Sequence, residues 1–215
     1  SGTALIPREE KLEQGKTPKI DKTYNDKKVK EDYYFNEDGP FHGKCVFCEK
    51  KISKLNDLDH YRPKNEIRDK DNNLIYIRDK IKHPGYRCLA YNWQNLLPCC
   101  KDCNTLINEG EKKIGKGNRF PVTGKHAVKF KQIKNEKPQL INPVLEDPGE
   151  HFEFNKNNGD MMPRTDKGKI TEQILGLNRD IYQKHRKAAY SQVKDEYNRL
   201  ICAPDEPCLD EWKKI

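Results

Sequence analysis

Apolar residues occur in this chain in short runs, and their spacing predicts short strands early in the chain and helices late in it. Residues 57–61 alternate polar and apolar side chains, which is the period-two pattern of a strand, and Pro63 gives that strand a reason to stop. Val46 and Phe47, followed by Ile52, predict a short hairpin, and residues 102–107 are typical of the start of a helix. The first half of the chain therefore predicts paired strands followed by a helix.

The C-terminal part has helical spacing instead. Ile170, Ile174 and Leu175 predict a short amphipathic helix that ends at Gly176, and Asn178 is suited to cap a longer one. The longer helix has apolar residues at near-helical intervals, namely Ile181, Ala188, Val193, Tyr197, Leu200 and Ile201. We expect this stripe to pack in the core first and to serve as a partner surface second.

The cysteines indicate how a chain with so few apolar residues folds. Hydrophobic residues make up 33% of the chain and charged residues 35%, so the apolar core is expected to be thin. Two Cys-x-x-Cys pairs, Cys45 with Cys48 and Cys100 with Cys103, predict a tetrahedral thiolate site for a structural zinc ion that would compensate for the thin core. Cys99 is an alternative to Cys100, but Cys100 has the two-residue spacing to Cys103. Buried small hydrophobes or a redox pair are the other interpretations of these thiols.

The N-terminal residues and the distribution of charge indicate the compartment of the protein and the kind of partner that it binds. The first ten residues contain charges and a proline, so we expect no signal peptide and a reducing, cytoplasmic compartment. No run approaches the roughly 18 apolar residues of a membrane span. The net charge is +8, and the excess of positive charge lies in residues 51–130, which contain 17 basic and 9 acidic residues. Such a segment concentrates phosphates and favours a nucleic-acid partner, with a solvated lysine-rich face as the alternative.

Three polar residues around the cysteine pairs suit metal-dependent hydrolysis. Asp59 and Asn104 offer oxygen ligands for a divalent ion, Mg²⁺ or Mn²⁺, and His60 offers a base that is neutral near pH 7. Because neighbouring strand residues face opposite sides, Asp59 and His60 are expected at a strand end or a bulge. Asn95 is expected to orient His60 or to tie the intervening loop, unless it only caps a helix. The candidate phosphate contacts are Arg62, Lys64, Lys116 and Arg119.

Four segments resemble, in order, the zinc-containing HNH or ββα-metal endonucleases: Cys-Val-Phe-Cys at 45–48, Leu-Asp-His-Tyr-Arg-Pro-Lys at 58–64, Trp-Gln-Asn-Leu-Leu at 93–97 and Cys-Lys-Asp-Cys-Asn at 100–104. The resemblance puts His60 on the first histidine of the motif, Asn95 on its asparagine and Asn104 on its last position, where histidine is often found. It implies an α+β fold with a ββα-metal, treble-clef-like core, a four-cysteine zinc site and C-terminal helices.

A narrower resemblance extends over residues 40–190. Segments such as Gly117-Asn118-Arg119-Phe120-Pro121 and residues 174–179 are similar to the HNH component of retron and Septu-type antiphage systems. This resemblance implies a bacterial defence endonuclease that cuts nucleic acid, with DNA favoured over RNA, and that has an ABC-type ATPase as its partner. The competing prediction is a non-catalytic, zinc-dependent nucleic-acid-binding subunit that targets an ATPase complex.

The same observations divide the chain into three predicted parts. A charged and partly flexible segment covers residues 1–40, the nuclease module with its zinc site covers 41–130, and a loop and helical extension covers 131–215. Residues 1–30 have few apolar positions and are expected to be flexible or to fold on a partner.

Overall fold

The computed structural model describes residues 26–53, 55–110 and 112–202. Most of the predicted flexible N-terminal segment therefore lies outside the described residues. Four α-helices occur in the described residues: α1 (Lys27–Val29), which continues into a π-helical turn (Lys30–Tyr34), α2 (Lys101–Asn104), α3 (Asp166–Leu175) and α4 (Asp180–Cys202). Short 3-10 turns lie at Arg87–Leu89, Trp93–Asn95, Phe130–Asn135 and Pro148–Glu150. Within the described chain, none of these helices combines the length and the apolar character needed to cross a bilayer.

The strands form separate antiparallel pairs, each of two strands. They are β1 (Asp57–His60) with β4 (Leu96–Cys99), β2 (Tyr76–Arg78) with β3 (Ile81–Lys82), β5 (Ile107–Glu109) with β6 (Lys112–Ile114), β7 (Val122–Thr123) with β8 (Lys137–Pro138), and β9 (Phe152–Phe154) with β10 (Met161–Pro163). The result is a mixed fold of helices and small sheets, as the predicted α+β class requires.

The β1–β4 pair lies between two hydrophobic clusters. Leu58 of β1 and Leu96 of β4 pack with Tyr34 and Phe35 in the smaller cluster. Leu97 and Cys99, which alternate with Leu96 along β4, belong to the main cluster. Since successive residues of a strand point to opposite faces, both faces of this two-stranded sheet are covered. The pair is thereby held firmly even though each strand is only four residues long.

The main cluster draws residues from most of the described chain. It combines the four cysteines of the two Cys-x-x-Cys pairs with aromatic and aliphatic side chains as distant in sequence as Tyr61, Phe120, Leu140, Leu175 and Tyr182. Phe120 makes edge-to-face contacts with two tyrosines, at ring-centroid distances of 5.2 Å to Tyr61 and 5.4 Å to Tyr86. Residues from the predicted 41–130 and 131–215 parts thus share one core, while the boundary between those parts remains a prediction.

The two predicted C-terminal helices are present, but only one is packed as expected. Thr165 caps the first turn of α3 by accepting a hydrogen bond from the Gly168 amide at 3.0 Å, and α3 ends at Gly176, whose φ of 61° is left-handed. The expectation that the apolar stripe of α4 packs in the core was wrong. Every residue from 191 to 201 is exposed, because no other described element covers that part of the helix. Asn178 does not act as the expected cap: it hydrogen-bonds the main chain of Met161.

The prediction of a helix over residues 102–107 was correct only for its first residues. α2 begins at Lys101 but ends at Asn104, because Thr105 adopts an extended backbone with φ −81° and ψ 130°. Ile107 then begins strand β5. The helix is therefore one turn long, just enough to carry Cys103 and Asn104.

Candidate functional site

The four cysteines of the two Cys-x-x-Cys pairs come together at one point. The sulfur atoms of Cys45, Cys48, Cys100 and Cys103 all lie within 4.8 Å of one another, and those of Cys48 and Cys100 are 3.7 Å apart. A tetrahedral zinc ion with Zn–S bonds of roughly 2.3 Å requires sulfur–sulfur separations of about 3.8 Å. The cluster therefore fits zinc in both ligand type and spacing. Cys99 lies outside the four, with its thiol directed to the Cys100 carbonyl at 3.5 Å.

The two knuckles are shaped by main-chain hydrogen bonds. In the first, the Glu49 amide donates to the Cys45 carbonyl at 2.9 Å, and Glu49 adopts a left-handed φ of 60°. In the second, the Asn104 amide donates to the Cys100 carbonyl at 3.0 Å. The predicted hairpin around the first knuckle is present as a single antiparallel bridge between Lys44 and Lys51. Each knuckle thus turns two sulfurs toward the same point.

Tyr182 of α4 supports the thiol cluster from outside, and no sequence pattern pointed to it. Its hydroxyl lies 3.5 Å from Cys103 Sγ and 3.6 Å from Cys100 Sγ. Burial, and then the charge of Cys103, raise the pKa of Tyr182, so the hydroxyl keeps its proton and can donate it to a sulfur. The Arg179 guanidinium lies over the Tyr182 ring, 4.6 Å from its centroid, and donates to the Asp102 carbonyl at 3.0 Å. The start of α4 is therefore attached to the second knuckle.

Asp59 is buried and faces a buried lysine. Its Oδ2 lies 2.7 Å from Lys116 Nζ but has no aligned hydrogen bond among the described residues. Lys116 Nζ also donates to the main-chain oxygen of His60 at 2.7 Å. Burial raises the pKa of Asp59, and the charge of Lys116 is the largest influence that opposes this rise. Lys116 is thus linked to both members of the Asp-His pair.

The loop that carries Lys116 is held against α2. The Lys116 amide donates to the Cys103 carbonyl at 2.6 Å, and the Gly117 amide donates to the Asn104 carbonyl at 2.7 Å. Gly115 allows this approach, because its φ is +91° and a Cβ atom there would lie 1.9 Å from the Thr105 oxygen. The loop therefore connects the end of α2 to the end of β1.

His60 is the last residue of β1, as expected for a site residue at a strand end. Its Nε2 lies 3.0 Å from the Ala90 carbonyl, which requires a proton on Nε2 and leaves the ring lone pair on Nδ1. Burial lowers the pKa of His60 to about 4, with further lowering by Lys64 and Lys116. The imidazole is therefore neutral at pH 7, with its acceptor lone pair on Nδ1.

Asn104 contacts β1 through Asp57, whereas Asp59 is the aspartate predicted to bind a divalent ion together with Asn104. Its Nδ2 donates to Asp57 Oδ2 at 3.1 Å. Asp57 and Asp59 are two residues apart on β1 and so share a strand face. Sequence reasoning missed Asp57, although its period-two spacing from Asp59 was a usable signal. The described contacts link Asn104 with Asp57 and Asp59 with Lys116.

Asn95 forms hydrogen bonds that hold together the chain after β1 and the chain before β4. Its Oδ1 accepts from the Arg62 amide at 2.8 Å, and its Nδ2 donates to the carbonyls of Arg62 and Leu89 at 3.1 and 3.3 Å. The Asn95 carbonyl also accepts from the Tyr61 amide at 2.9 Å. These are the contacts of the loop-tying alternative, and they fix the two residues that follow His60 to the loop before β4.

The four candidate phosphate contacts lie in different settings. Lys116 and Arg119 are buried, and the Arg119 guanidinium donates to main-chain oxygens of Lys113 and Ile174 at 2.9 and 2.6 Å. Arg62 pairs with Glu136 and lies over the rings of two buried aromatic residues. Because none of these three side chains is exposed and each contacts other protein groups, they do not form a phosphate-binding surface in this structure. Lys64 is only half-buried and stays the predicted phosphate contact.

Comparisons with known proteins gave three similar chains. No family profile and no solved structure matches this chain. It is 32% identical over 166 residues to Septu protein PtuA of Bacillus mycoides (strain KBAB4), an alignment that covers 74% of this chain and 20% of PtuA. It is 32% identical over 145 residues to Septu protein PtuB of the same strain, covering 65% of this chain and 44% of PtuB. For PtuB of Bacillus thuringiensis the identity is 30% over 138 residues, covering 63% and 37%. The chain thus spans less than half the length of each of these relatives.

Proposed function

We propose that this chain is a metal-dependent HNH-type endonuclease that hydrolyses phosphodiester bonds of nucleic acid, with DNA favoured over RNA. The observation that carries the proposal is the arrangement around His60: a buried neutral imidazole at the end of β1, oriented by the Ala90 carbonyl, one residue from a buried aspartate. The thiol cluster and Asn104, at the start and the end of the adjoining helix α2, add the remaining parts of the HNH resemblance.

The residues fit a hard divalent cation. Asp59 Oδ2 is a buried acceptor that faces a charge without an aligned hydrogen bond from the described residues, and oxygen atoms of this kind are the ligands that Mg²⁺ and Mn²⁺ prefer. Asp59 and Asn104 would hold the ion, which when bound supplies Lewis-acid stabilisation of the phosphate and of the leaving oxygen.

In the proposed reaction His60 is the general base. Nδ1 takes a proton from a water molecule while the oxygen of that water attacks phosphorus. The bond from phosphorus to the 3′ oxygen breaks, and the products are a 5′-phosphate and a 3′-hydroxyl that has taken its proton from solvent. The low pKa of His60, about 4, keeps the base unprotonated throughout the neutral range.

A role in Septu-type antiphage defence is supported by the similarity to PtuA and PtuB. The resemblance to the HNH component of such systems adds an ABC-type ATPase as the proposed partner. The alternative is a zinc-dependent binding subunit that directs an ATPase complex to nucleic acid without cutting it. A binding subunit would use the thiol cluster as the nuclease would. It would not need an imidazole that is held in place through a hydrogen bond at Nε2.

Cleavage assays separate the two proposals. We expect the protein, with or without its partner, to cut plasmid or oligonucleotide in the presence of Mg²⁺ or Mn²⁺, and His60→Ala to lower the rate by about 10²- to 10⁴-fold. His185→Ala, at an exposed position of α4, is the matched control and should retain full activity. If the wild-type protein binds nucleic acid but never cuts it under any of these conditions, the binding subunit is the correct description.

A further inference from the structure

Two large aromatic side chains are exposed on the connector, residues 90–95, which precedes β4 and holds His60 through the Ala90 carbonyl. Tyr91 is 56% exposed and Trp93 is 57% exposed. Other aromatic side chains nearby, such as Tyr61 and Tyr86, are almost fully buried. A large exposed ring offers a face on which a flat ligand can stack, so the location of these rings bears on what the site binds.

The connector has a fixed position relative to His60. The Ala90 carbonyl, one residue before Tyr91, accepts the hydrogen bond from His60 Nε2. On the other side, Asn92 Oδ1 accepts from the Gln94 amide at 2.9 Å and begins the short turn Trp93–Asn95. With Asn95 bonded to the main chain of Arg62, the backbone that bears both aromatic residues is anchored at each end.

Trp93 forms one wall of a cleft of about 550 Å³ that is also lined by Val29, Tyr33 and Tyr34. This cleft lies near the strand face of His60. The cross-strand partner of His60 is Leu96, and Leu96 packs in the same small cluster as Tyr34. Tyr34 therefore lines the cleft and also packs in the cluster that contains Leu96, the strand partner of His60.

The charges around the cleft suit an uncharged ring better than a phosphate. Asp26 and Asp32 line it together with a single lysine, Lys28. Both carboxylates repel a phosphodiester. Asp26 Oδ1 already accepts hydrogen bonds from the Lys28 and Val29 amides, so Asp32 is the carboxylate that would accept a hydrogen bond from an amino group of a base. A volume of about 550 Å³ is ample for one base and its sugar.

We propose that the cleft between Trp93 and Tyr33 binds an unpaired nucleobase next to the phosphate that is cut. This inference deepens the proposed nuclease function and rests on it. It makes the substrate single-stranded or locally unpaired nucleic acid, because a base inside a duplex has no free face to stack on Trp93. Stacking on one aromatic residue contributes enough affinity to change binding by about 5- to 100-fold.

Binding measurements in a His60→Ala background test the inference without cleavage. Added Trp93→Ala should weaken binding of a labelled single-stranded oligonucleotide by about 5- to 100-fold, whereas Trp93→Phe should stay within about 3-fold of the parent. Binding of the matching duplex should be weaker at the outset and little affected by Trp93→Ala. Tyr76→Ala, which removes another exposed ring on β2, is the control and should leave binding unchanged.

Fluorescence gives a second reading of the same site. The chain has two tryptophans, so a Trp212→Phe variant reports on Trp93 alone, and the single-stranded oligonucleotide should quench its emission. Equal binding by the parent and Trp93→Ala would overturn the inference, as would a Trp93→Ala variant that only changes self-association or binding of the partner protein. Wild-type protein that cuts single-stranded and duplex substrates equally well also overturns it while leaving the nuclease proposal intact. Absence of both cutting and nucleic-acid binding would instead remove the nuclease proposal itself.

Discussion

Lys116 Nζ lies 2.7 Å from Asp59 Oδ2, and the lysine side chain is completely buried. A buried ion pair of this kind need not stabilise a protein relative to an apolar pair, but removal of one partner leaves an uncompensated charge in the interior. The lysine also holds the main chain of His60, so its loss affects the geometry on both sides of the Asp-His pair.

We therefore expect Lys116→Met to lower the free energy of unfolding by about 3–5 kcal/mol in buffer with zinc but without Mg²⁺ or Mn²⁺. Urea denaturation followed by circular dichroism measures the change. Lys113→Met, at an exposed position on the same segment, is the matched control and should stay within about 0.5 kcal/mol of wild type. A loss below about 1 kcal/mol for Lys116→Met would show that the pair carries little energy.

The thiol cluster should bind one zinc ion per chain and should be required for folding. Cys103→Ser removes a buried ligand, and because structural zinc contributes on the order of 10 kcal/mol, the variant should unfold or lose most of its stability. Cys88→Ser changes a half-buried thiol outside the cluster and should keep both zinc and fold. Elemental analysis and thermal unfolding check both variants. A Cys103→Ser protein that retains wild-type zinc content would contradict the assignment.

Tyr182→Phe tests the support that α4 gives to the cluster. Loss of a hydroxyl near two sulfurs should lower zinc affinity by about 10- to 100-fold, the range typical of changes just outside the metal ligands. Competition with a chromophoric chelator measures this affinity. Tyr190→Phe removes a hydroxyl from the same helix, about two turns after Tyr182 and next to the Phe154 ring, and serves as the control. Equal chelator sensitivity of the two variants would mean that the hydroxyl does not act on the site.

The free energy of unfolding should fall below pH 6.5 because His83 is buried. His83 is buried, with Nε2 3.1 Å from the Ala127 carbonyl, and burial lowers its pKa from 6.5 to about 4. Above pH 6.5 the ring is neutral in both the folded and the unfolded state, so its full contribution is present there. As the pH falls from 6.5 toward 4 only the unfolded state gains the proton, and by pH 5 this costs about 2 kcal/mol.

The corresponding experiment compares the wild type with His83→Gln at pH 7.5 and pH 5. The variant should lose less free energy of unfolding between these two values, by about 2 kcal/mol. His185→Gln, at an exposed position, should behave like the wild type. Parallel pH dependence in wild type and His83→Gln would show that His83 is not protonated on unfolding.

Sequence patterns predicted the parts of this molecule that depend on local spacing. The Cys-x-x-Cys spacing predicted which four sulfurs come together, and alternation predicted the strand that ends at His60. The glycine at 176 predicted the end of α3, since a left-handed residue there ends a helix. In each case the physical cause lies within a few residues of the pattern.

Features that depend on contacts across the chain were not accessible in this way. Lys116 and Arg119 looked like surface charges because their partners, Asp59 and several main-chain oxygens, are distant in sequence or have no sequence signal. The apolar stripe of α4 looked like core, although nothing among the described residues covers it. The same limit applies to Tyr182, whose role depends on the position of a helix that begins far along the chain from the knuckle it contacts.

Because the five strand pairs of the described residues share no strand, a change in the length of one pair leaves the strand-to-strand hydrogen bonds of the others in place. Gly124, which follows β7, has a left-handed φ of 90° and open space around the position of a Cβ atom. A short peptide tag inserted there would lie at the start of the connection between β7 and β8, outside both knuckles. Small independent ladders thus give this protein internal sites for labels, a property that a continuous sheet would not offer.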